Sequence, residues 1–233
     1  MNTRVDIGIT TALTIRLTDV FKEYKSELRK VKVLEGVSLE VLAGDFLALM
    51  GPSGSGKTTL LNIIAGLDRA TSGSIFINNV DIATMSDRAL TQWRAKNVGF
   101  VFQSNNLIPV LTAYQNVELP LFLSKTPKQE RIAMVTAALT QVGLQSRMHH
   151  YPRELSGGEE QRVAIARAIV HNPSIVVADE PTGSLDRDNA DEVLALFHRL
   201  NRDFAKTILL VTHDPAAAKY ATRVQQINKG LFI

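Results

Sequence analysis

The sequence has no cysteine and no long apolar run, and each absence excludes a class of protein. Without cysteine the chain forms no disulfide bond and no thiolate metal site. No apolar stretch approaches the roughly 20 residues that a membrane-spanning helix needs. The segment Met1–Thr14 has no apolar core of the kind found in secretory signals. We therefore expect a protein that stays in the cytoplasm.

An excess of charge of one sign is also missing. The formal net charge is +3 at pH 7, and no block of about five or six like charges occurs. The most basic segment, residues 22–32, is interrupted by Glu23 and Glu27. This pattern is typical of a solvated face rather than a nucleic-acid-binding patch, so no nucleic-acid partner is predicted.

A glycine-rich segment lies between two apolar runs. The run Phe46–Met50 leads into Gly51-Pro52-Ser53-Gly54-Ser55-Gly56-Lys57-Thr58, and a second apolar run begins at Leu60. Strand, turn and helix in this order are the context of the phosphate-binding pattern G-x-x-x-x-G-K-[ST]. A turn that merely joins a strand to a helix accounts poorly for a pattern in register throughout. The chain is therefore predicted to bind a nucleoside triphosphate.

The chemistry of this phosphate loop follows from its residue types. Its backbone N–H groups can turn towards phosphate oxygens, with the positive end of the following helix behind them. Lys57 can reach the β- and γ-phosphates, and the Thr58 hydroxyl can hold Mg²⁺. The residues that we expect to bind nucleotide here are Gly51, Ser53, Gly54, Ser55, Gly56, Lys57, Thr58 and Thr59.

Two carboxylates, Asp179 and Glu180, follow the apolar run 175–178. That run is apolar on both faces, as in a buried parallel strand, and ligands bind at the carboxyl edge of such a sheet. Asp179 is a candidate Mg²⁺ ligand, and Glu180 can accept a proton from an attacking water. His213 follows the strand predicted over residues 207–211 and can donate a hydrogen bond to a γ-phosphate oxygen. A lone acidic pair or a lone histidine would more often be an ordinary surface feature.

A second candidate anion site lies at Ser156, Gly157 and Gly158. Ser156 and Glu159 have the spacing of a capping box, and two glycines permit close approach to the helix N-terminus. The chain then carries two half-sites for phosphate. This suggests that two chains complete each other's sites, which spacing alone does not prove.

The remaining patterns predict an α/β chain with a helical insertion. A nucleotide-binding core is predicted over residues 1–102 plus 173–233, and a helical subdomain over 103–172, within one domain. A capping box is predicted at Thr126, with Pro127 as the first helical residue. The predicted strands are residues 12–20, 31–43, 46–50, 74–78, 98–102, 175–178, 207–211 and 224–228.

Taken together, these motifs resemble an ATPase subunit of an ABC transporter over nearly the whole chain. The signature Leu155-Ser156-Gly157-Gly158-Glu159 is the most specific element of the resemblance. The other motifs are the phosphate loop, Gln103, Asp179-Glu180, Ser184-Leu185-Asp186 and His213. The resemblance implies a phosphate-loop NTPase core with a mixed sheet, namely a parallel part and an antiparallel β-subdomain, and an inserted α-helical subdomain.

A narrower resemblance is to the export subfamily of LolD and MacB, which release lipoproteins or export macrolides and peptides. It is carried by Phe102-Gln103, Asn106-Leu107, Leu111-Thr112-Ala113, Asn116-Val117 and residues 179–186. Members work from the cytoplasmic face of the cell membrane with a separate integral-membrane subunit. The resemblance also leaves room for a periplasmic or envelope adaptor.

The resemblance implies roles residue by residue, with ATP and Mg²⁺ as ligands. Gln103 would sense the γ-phosphate and Mg²⁺ and couple to the membrane subunit. Ser156, Gly157 and Gly158 would contact the ATP of the opposite protomer, and Asp186 would bridge the two protomers of an ATP-dependent homodimer. Tyr24 would stack on adenine, although a core aromatic is the usual alternative.

The alternatives differ in what the ATPase drives. A transport ATPase would power a membrane subunit, whereas a cell-division-type regulatory ATPase would signal through a membrane partner to an envelope hydrolase without moving a substrate. Both use the same subunit chemistry. DNA-repair and ribosome-associated relatives fit poorly, because they carry coiled coils or two cassettes. The departures from the pattern, at Glu159, Glu160 and Ser184, remove no catalytic group.

Overall fold

The computed structural model describes residues 13–25, 30–124 and 126–233 of the chain. Within these ranges the strands are β1 (Leu13–Lys25), β2 (Lys30–Leu42), β3 (Phe46–Met50), β4 (Ser72–Ile77), β5 (Val80–Asp81), β6 (Val98–Val101), β7 (Ile175–Asp179), β8 (Thr207–Thr212), β9 (Arg223–Asn228) and β10 (Leu231–Phe232). The α-helices are α1 (Lys57–Ile64), α2 (Asp87–Asn97), α3 (Ala113–Glu118), α4 (Lys128–Gln141), α5 (Gly157–Ile169), α6 (Arg187–Phe204) and α7 (Pro215–Ala218). Short 3₁₀ helices cover Leu119–Ser124, Gln145–Arg147 and Pro152–Glu154.

The larger sheet positions the loops that matter for function. Its strand order is β10-β9-β3-β8-β7-β6, and every neighbouring pair is parallel except β10 with β9. All six residues of β8 are buried, as expected for a central parallel strand covered on both faces. Because β8 lies between β3 and β7, the segments that follow these three strands leave the same edge of the sheet side by side.

The smaller sheet is antiparallel, in the order β2-β1-β4-β5. Its inner face packs on α1, and Ile15 and Leu34 share one core cluster with Leu60 and Ile63 of that helix. The turn between β4 and β5 is made by Asn78 and Asn79, both with positive φ. Two asparagines suit such a turn because asparagine tolerates the left-handed region. The predicted mixed architecture is confirmed.

The segment after β6 is helical, as predicted. Helices α3, α4 and α5 pack together through Val117, Leu139 and Val163, which belong to the second core cluster. That cluster continues under the large sheet through Val176 and Phe197. Within the described residues, no helix combines the length and the apolar character that crossing a membrane requires.

Two local predictions were wrong or incomplete. The first strand was predicted to end at Val20, but β1 continues to Lys25, because pairing with β2 carries it past a bulge at Asp19, where φ is 48°. Its predicted first residue, Ala12, lies outside the described residues. No capping box forms at Thr126, since Pro127 is the N-cap residue without a side-chain hydrogen bond. The Thr126 hydroxyl contacts Ser124 Oγ at 2.6 Å instead.

Candidate functional site

The phosphate loop runs from the end of β3 into the first turn of α1. Gly56 is the N-cap residue of α1 and has φ of 100°, in the left-handed region. A Cβ atom at this position would lie 2.8 Å from the carbonyl oxygen of Val33. Glycine is therefore required at Gly56 for two reasons: the backbone is left-handed there, and β2 leaves no room for a Cβ atom.

Lys57 is the first residue of α1, and its side chain turns back over the loop. Lys57 Nζ donates hydrogen bonds to the carbonyl oxygens of Gly51 at 2.8 Å and Pro52 at 2.9 Å. The residue is only 6% exposed. The Oγ atom of Ser55, three residues beyond Pro52 in the same loop, is buried and has no hydrogen-bond partner among the described residues. A buried ammonium group and an unpaired hydroxyl in one loop suit an anionic ligand with several oxygen acceptors.

Thr58 and Asp179 bring a hydroxyl and a carboxylate together across the site. Thr58 Oγ1 donates a hydrogen bond to Asp179 Oδ1 at 3.1 Å. Burial raises the pKa of Asp179, and the charge of Glu180 raises it further, while the Thr58 hydrogen bond and Lys57 act in the opposite direction. A bound cation would favour the charged carboxylate. Oxygen ligands of this kind fit Mg²⁺, which keeps several waters and takes one or two protein ligands.

Glu180 lies one residue beyond the end of β7, in a left-handed conformation with φ of 45°. Its N–H donates to the carbonyl oxygen of Val211 at 2.9 Å, which fixes this uncommon backbone against β8. Glu180 Oε1 lies 3.0 Å from His213 Nδ1. The two side chains that sequence reasoning assigned to separate strand ends are therefore direct partners.

Gln103 follows β6, and its side chain lies beside Gly183 in the loop after Glu180. Its Nε2 atom lies 3.4 Å from where a Cβ atom of Gly183 would stand, and the Gly183 N–H donates to the Glu180 carbonyl at 3.0 Å. Ten of the predicted residues thus line one cleft of about 500 Å³, and Gly51 is not among them. The cleft is lined by Val33, Ser53, Gly54, Ser55, Gly56, Lys57, Thr58, Thr59, Gln103, Asp179 and Glu180. His213 lines an adjoining cleft together with Glu180 and Gly183.

Val33 was missed by the sequence analysis. It is a β2 residue, and only the pairing of β2 with β1 and its approach to Gly56 bring it to the cleft. No local pattern in the sequence marks an apolar strand residue for this position.

Tyr24 lies near the end of β1 and does not line the cleft. Its hydroxyl donates to Asp68 Oδ2 at 2.6 Å, and Lys22 Nζ lies 4.5 Å from the ring centroid. Lys22 Nζ also donates to Asp68 Oδ1 at 2.6 Å. Burial raises the pKa of Tyr24, and the hydrogen bond to Asp68 raises it further, whereas a hydrogen bond with Thr59 lowers it. Asp68 is a second residue that the sequence did not indicate.

The predicted capping box at the start of α5 is confirmed. Ser156 Oγ accepts the Glu159 N–H at 3.2 Å, and Glu159 Oε2 accepts the Ser156 N–H at 2.9 Å. The Ser156 N–H is the main cause that holds the pKa of Glu159 below its usual value, and burial opposes it. Arg147 lies 3.2 Å from the same carboxylate. Ser156 and Gly157 are exposed, and neither lines the cleft.

Asp186 is the N-cap residue of α6. Its Oδ1 atom accepts the backbone N–H of Asn189 at 2.9 Å. The residue is exposed and, like Ser156, does not line the cleft. The predicted site residues therefore fall on two surfaces, one around the phosphate loop and one around the starts of α5 and α6.

Comparison with known proteins decides the family. Residues 34–183 match the sequence profile described as ABC transporter. The chain belongs to the ABC transporter family. An uncharacterized ABC transporter ATP-binding protein, YvrO of Bacillus subtilis, is 49% identical over 93% of this chain and 94% of its own length. The macrolide export ATP-binding/permease protein MacB of Shigella flexneri is 44% identical over 93% of this chain, which spans 33% of that relative.

A solved structure supports the same assignment at the level of the fold. The ATP-binding cassette MJ0796, described as a dimeric post-hydrolysis state bound to ADP and Pi, is 40% identical with a TM-score of 0.86. The similarity covers 94% of this chain and 96% of that one. This ABC ATPase therefore has the expected α/β phosphate-loop fold, and ABC ATPases bind ATP together with Mg²⁺.

The geometry of this ABC ATPase fits those ligands. Lys57 and the loop amides offer donors to the phosphates of ATP, and the hydroxyl of Thr58 beside Asp179 offers oxygen ligands to Mg²⁺. Glu180 stands at the strand end next to them, where a carboxylate can accept a proton.

Proposed function

We propose that this chain is the ATP-hydrolysing subunit of an export-type transporter and acts as a head-to-tail homodimer. The observation that carries the proposal is the separation of two anion-binding features on one chain. One is the cleft around Lys57, and the other is the capped start of α5 at Ser156. A second copy would bring its Ser156, Gly157 and Gly158 to the ATP held in the first copy's cleft. The MJ0796 cassette, which is described as dimeric and bound to ADP and Pi, supports a dimer of this chain.

Within each cleft, one set of residues would bind the nucleotide and another would hold Mg²⁺. We assign nucleotide binding to Gly51, Ser53, Gly54, Ser55, Gly56, Lys57, Thr58 and Thr59, with Tyr24 beside the adenine. Thr58, Asp179 and Gln103 would hold Mg²⁺. When bound, Mg²⁺ neutralises charge on the transferring phosphoryl group.

The chemical step would depend on Glu180. Its carboxylate accepts a proton from the attacking water, and the anchored backbone at its left-handed position aims it. His213 donates a hydrogen bond to a γ-phosphate oxygen, and Gln103 responds to the presence of that phosphate. Asp186 bridges to the opposite protomer.

Exposed apolar side chains before and after α3 in the sequence suit a membrane partner. Val110 is 78% exposed, Phe122 57% and Leu123 76%, and they flank α3 at its two ends. Asn116, fully buried inside α3, binds the backbone of Ile108 and so fixes the loop that carries Val110. We propose that a separate integral-membrane permease docks on this apolar surface. The chain would then lie peripherally on the cytoplasmic face of the membrane.

The substrate class of the transporter is a lipoprotein, peptide or macrolide. The MacB relative is a macrolide exporter by name, and its name joins an ATP-binding part to a permease. The membrane subunit would select the substrate, and any periplasmic or envelope adaptor would engage that subunit rather than this chain.

The test is co-purification of the Glu180→Gln protein with its membrane subunit in the presence of Mg-ATP. Val110→Glu and Leu123→Glu should reduce the amount of captured membrane protein about tenfold, because each places a charge in an apolar contact. Val224→Glu, at an exposed valine of β9, is the matched control and should capture as the parent does.

Movement of a substrate then distinguishes the transport role from the regulatory role. Reconstituted with its partner, a transport ATPase moves or releases substrate in an ATP-dependent manner. Activation of an envelope hydrolase with no substrate movement would establish the regulatory role instead. Capture of no membrane protein under any condition would contradict both.

A further inference from the structure

The first turns of α5 and α6 contact each other at the side chain of Asn189. On one side, Asn189 Nδ2 donates to both carboxylate oxygens of Asp186, at 3.0 Å to Oδ1 and 2.8 Å to Oδ2. The backbone N–H of Asn189 donates to Oδ1 as well, at 2.9 Å. Asp186 is thus held by three hydrogen bonds from one residue, which fixes its rotamer in an otherwise exposed position.

On its other side, the Asn189 amide packs against the backbone of Gly158. A Cβ atom at Gly158 would stand 2.0 Å from Asn189 Oδ1 and 2.6 Å from its Cγ. Such distances exclude any side chain unless Asn189 moves. The sequence suggested that Gly158 is glycine to admit a ligand, whereas in this chain Asn189 already occupies the space.

The two helix starts are joined at one further point. Arg162 of α5 forms an ion pair with Glu192 of α6, about one turn further along each helix. The Ser156–Glu159 capping box holds the first turn of α5 itself. Asn189 therefore closes a connected set of contacts that runs from Asp186 to the backbone of the signature segment.

We propose that Asn189 is a positioning residue that fixes Asp186 and the Gly158 backbone in one arrangement, so that both present themselves together to a second copy's ATP. The inference rests on the proposed homodimer. Asn189 lies outside the cleft, so it acts through the surface offered to the partner and not on the chain's own nucleotide.

Loss of the Asn189 side chain should therefore weaken dimerisation without weakening the binding of ATP to the monomer. On the Glu180→Gln background, Asn189→Ala should weaken Mg-ATP-dependent dimerisation about tenfold, because Asp186 loses its amide donor and Gly158 loses its packing. Affinity for ATP at protein concentrations where the chain is monomeric should stay within about twofold. Arg187→Ala, the exposed neighbour at the first position of α6, is the control and should change neither quantity.

A compensating pair tests the steric part. Gly158→Ala should abolish dimerisation, and adding Asn189→Ala should restore it to the level of the Asn189→Ala protein within about threefold, because the obstructing amide is gone. In the double variant, the Cβ atom at position 189 would lie 3.1 Å from the Cβ atom added at position 158. A small shift relieves that contact. A double variant no better than Gly158→Ala would overturn the proposal, since Gly158 would then be needed for the ligand alone.

A readout without nucleotide keeps this inference distinct from the proposed function. Hydrogen exchange of the backbone amides at 157–160 should speed up in Asn189→Ala but not in Arg187→Ala, because the first turn of α5 loses a packing partner. If the parent protein stays monomeric with Mg-ATP and exchange still rises, the homodimer fails while the positioning contact stands. Unchanged exchange in Asn189→Ala overturns the positioning role in either case.

Discussion

His213 Nδ1 lies 3.0 Å from Glu180 Oε1, so the side chain predicted to donate to the γ-phosphate is bound to the carboxylate predicted to act as base. A neutral imidazole has one N–H, and donation to the Glu180 carboxylate requires that hydrogen on Nδ1. Donation from Nε2 to a phosphate then requires a second proton on the ring, or release of His213 from Glu180. The pair therefore links the predicted base to the predicted phosphate donor.

Substitutions at this pair should separate hydrolysis from binding. Glu180→Gln should lower kcat at least 100-fold, the low end for loss of a general base, while ATP binding stays unchanged. His213→Ala should lower kcat by about 100-fold, and His213→Gln should recover part of the loss because its amide still donates. Steady-state turnover and nucleotide binding measure the two effects. Normal turnover in Glu180→Gln would show that another group accepts the proton.

Tyr24 provides a test of the adenine contact. Stacking of a base on an aromatic ring is worth about 1–3 kcal/mol by alanine substitution, so Tyr24→Ala should weaken ATP binding by about tenfold or more. Tyr24→Phe keeps the ring, loses only the Asp68 hydrogen bond, and should stay within about threefold. The comparison is made with a fluorescent ATP analogue and with Mg-ATP by calorimetry. Equal effects of the two variants would mean that the hydroxyl, not the ring, matters.

At pH values above the pKa that the Asp179 carboxyl group has in the folded state, Asp179 should destabilise the nucleotide-free protein. Burial raises the pKa of Asp179 in the folded protein, so the stability that it contributes is present below the unfolded value of about 4 and is lost as pH rises through the folded value. Asp179→Asn should therefore raise the thermal midpoint without nucleotide, more at about pH 8 than at about pH 4.5. It should also lose the stabilisation by Mg-ATP.

The control for the pH effect is Asp203→Asn, at an exposed carboxylate of α6, which should show no comparable gain. A gain in Asp179→Asn that is independent of pH, or larger at low pH, would contradict the burial argument.

Asn116 is predicted to be a large structural contributor in the helical part of the chain. It is fully buried, and its Nδ2 donates to the carbonyl oxygens of Ile108, Leu111 and Thr112 at 3.0–3.2 Å, while its Oδ1 accepts the Ile108 N–H at 2.8 Å. Asn116→Ala removes the side-chain partner of the Ile108 N–H and of the Leu111 carbonyl, while the Ile108 and Thr112 carbonyls keep backbone donors, and it should lower the free energy of unfolding by about 2–4 kcal/mol. Urea denaturation measures it, with the exposed Asn228→Ala as control. A loss below about 0.5 kcal/mol would contradict the assignment.

The sequence was most informative where function and structure are both local. The phosphate loop and the Ser156 capping box each depend on neighbouring residues, and each formed as predicted. The acidic end of β7 could be placed because parallel strands end at one edge.

What the sequence did not reveal depends on pairing between distant segments. Val33 reaches the cleft only through the long hairpin of β1 and β2, and Asp68 meets Tyr24 across two elements. Asn189 looks like an ordinary first-turn residue until α5 packs beside α6 and places its amide on Gly158. At Thr126 the predicted capping box did not form, because Pro127 is the N-cap residue and the Thr126 hydroxyl contacts Ser124 Oγ.

The central claim is that two copies share each ATP, and light scattering of the Glu180→Gln protein with and without Mg-ATP tests it most directly. The account predicts a monomer that becomes a dimer of about twice the mass when Mg-ATP is added, and that loses this response in Ser156→Arg. A Glu180→Gln protein that binds Mg-ATP yet stays monomeric, alone and with its membrane subunit, would contradict the shared site.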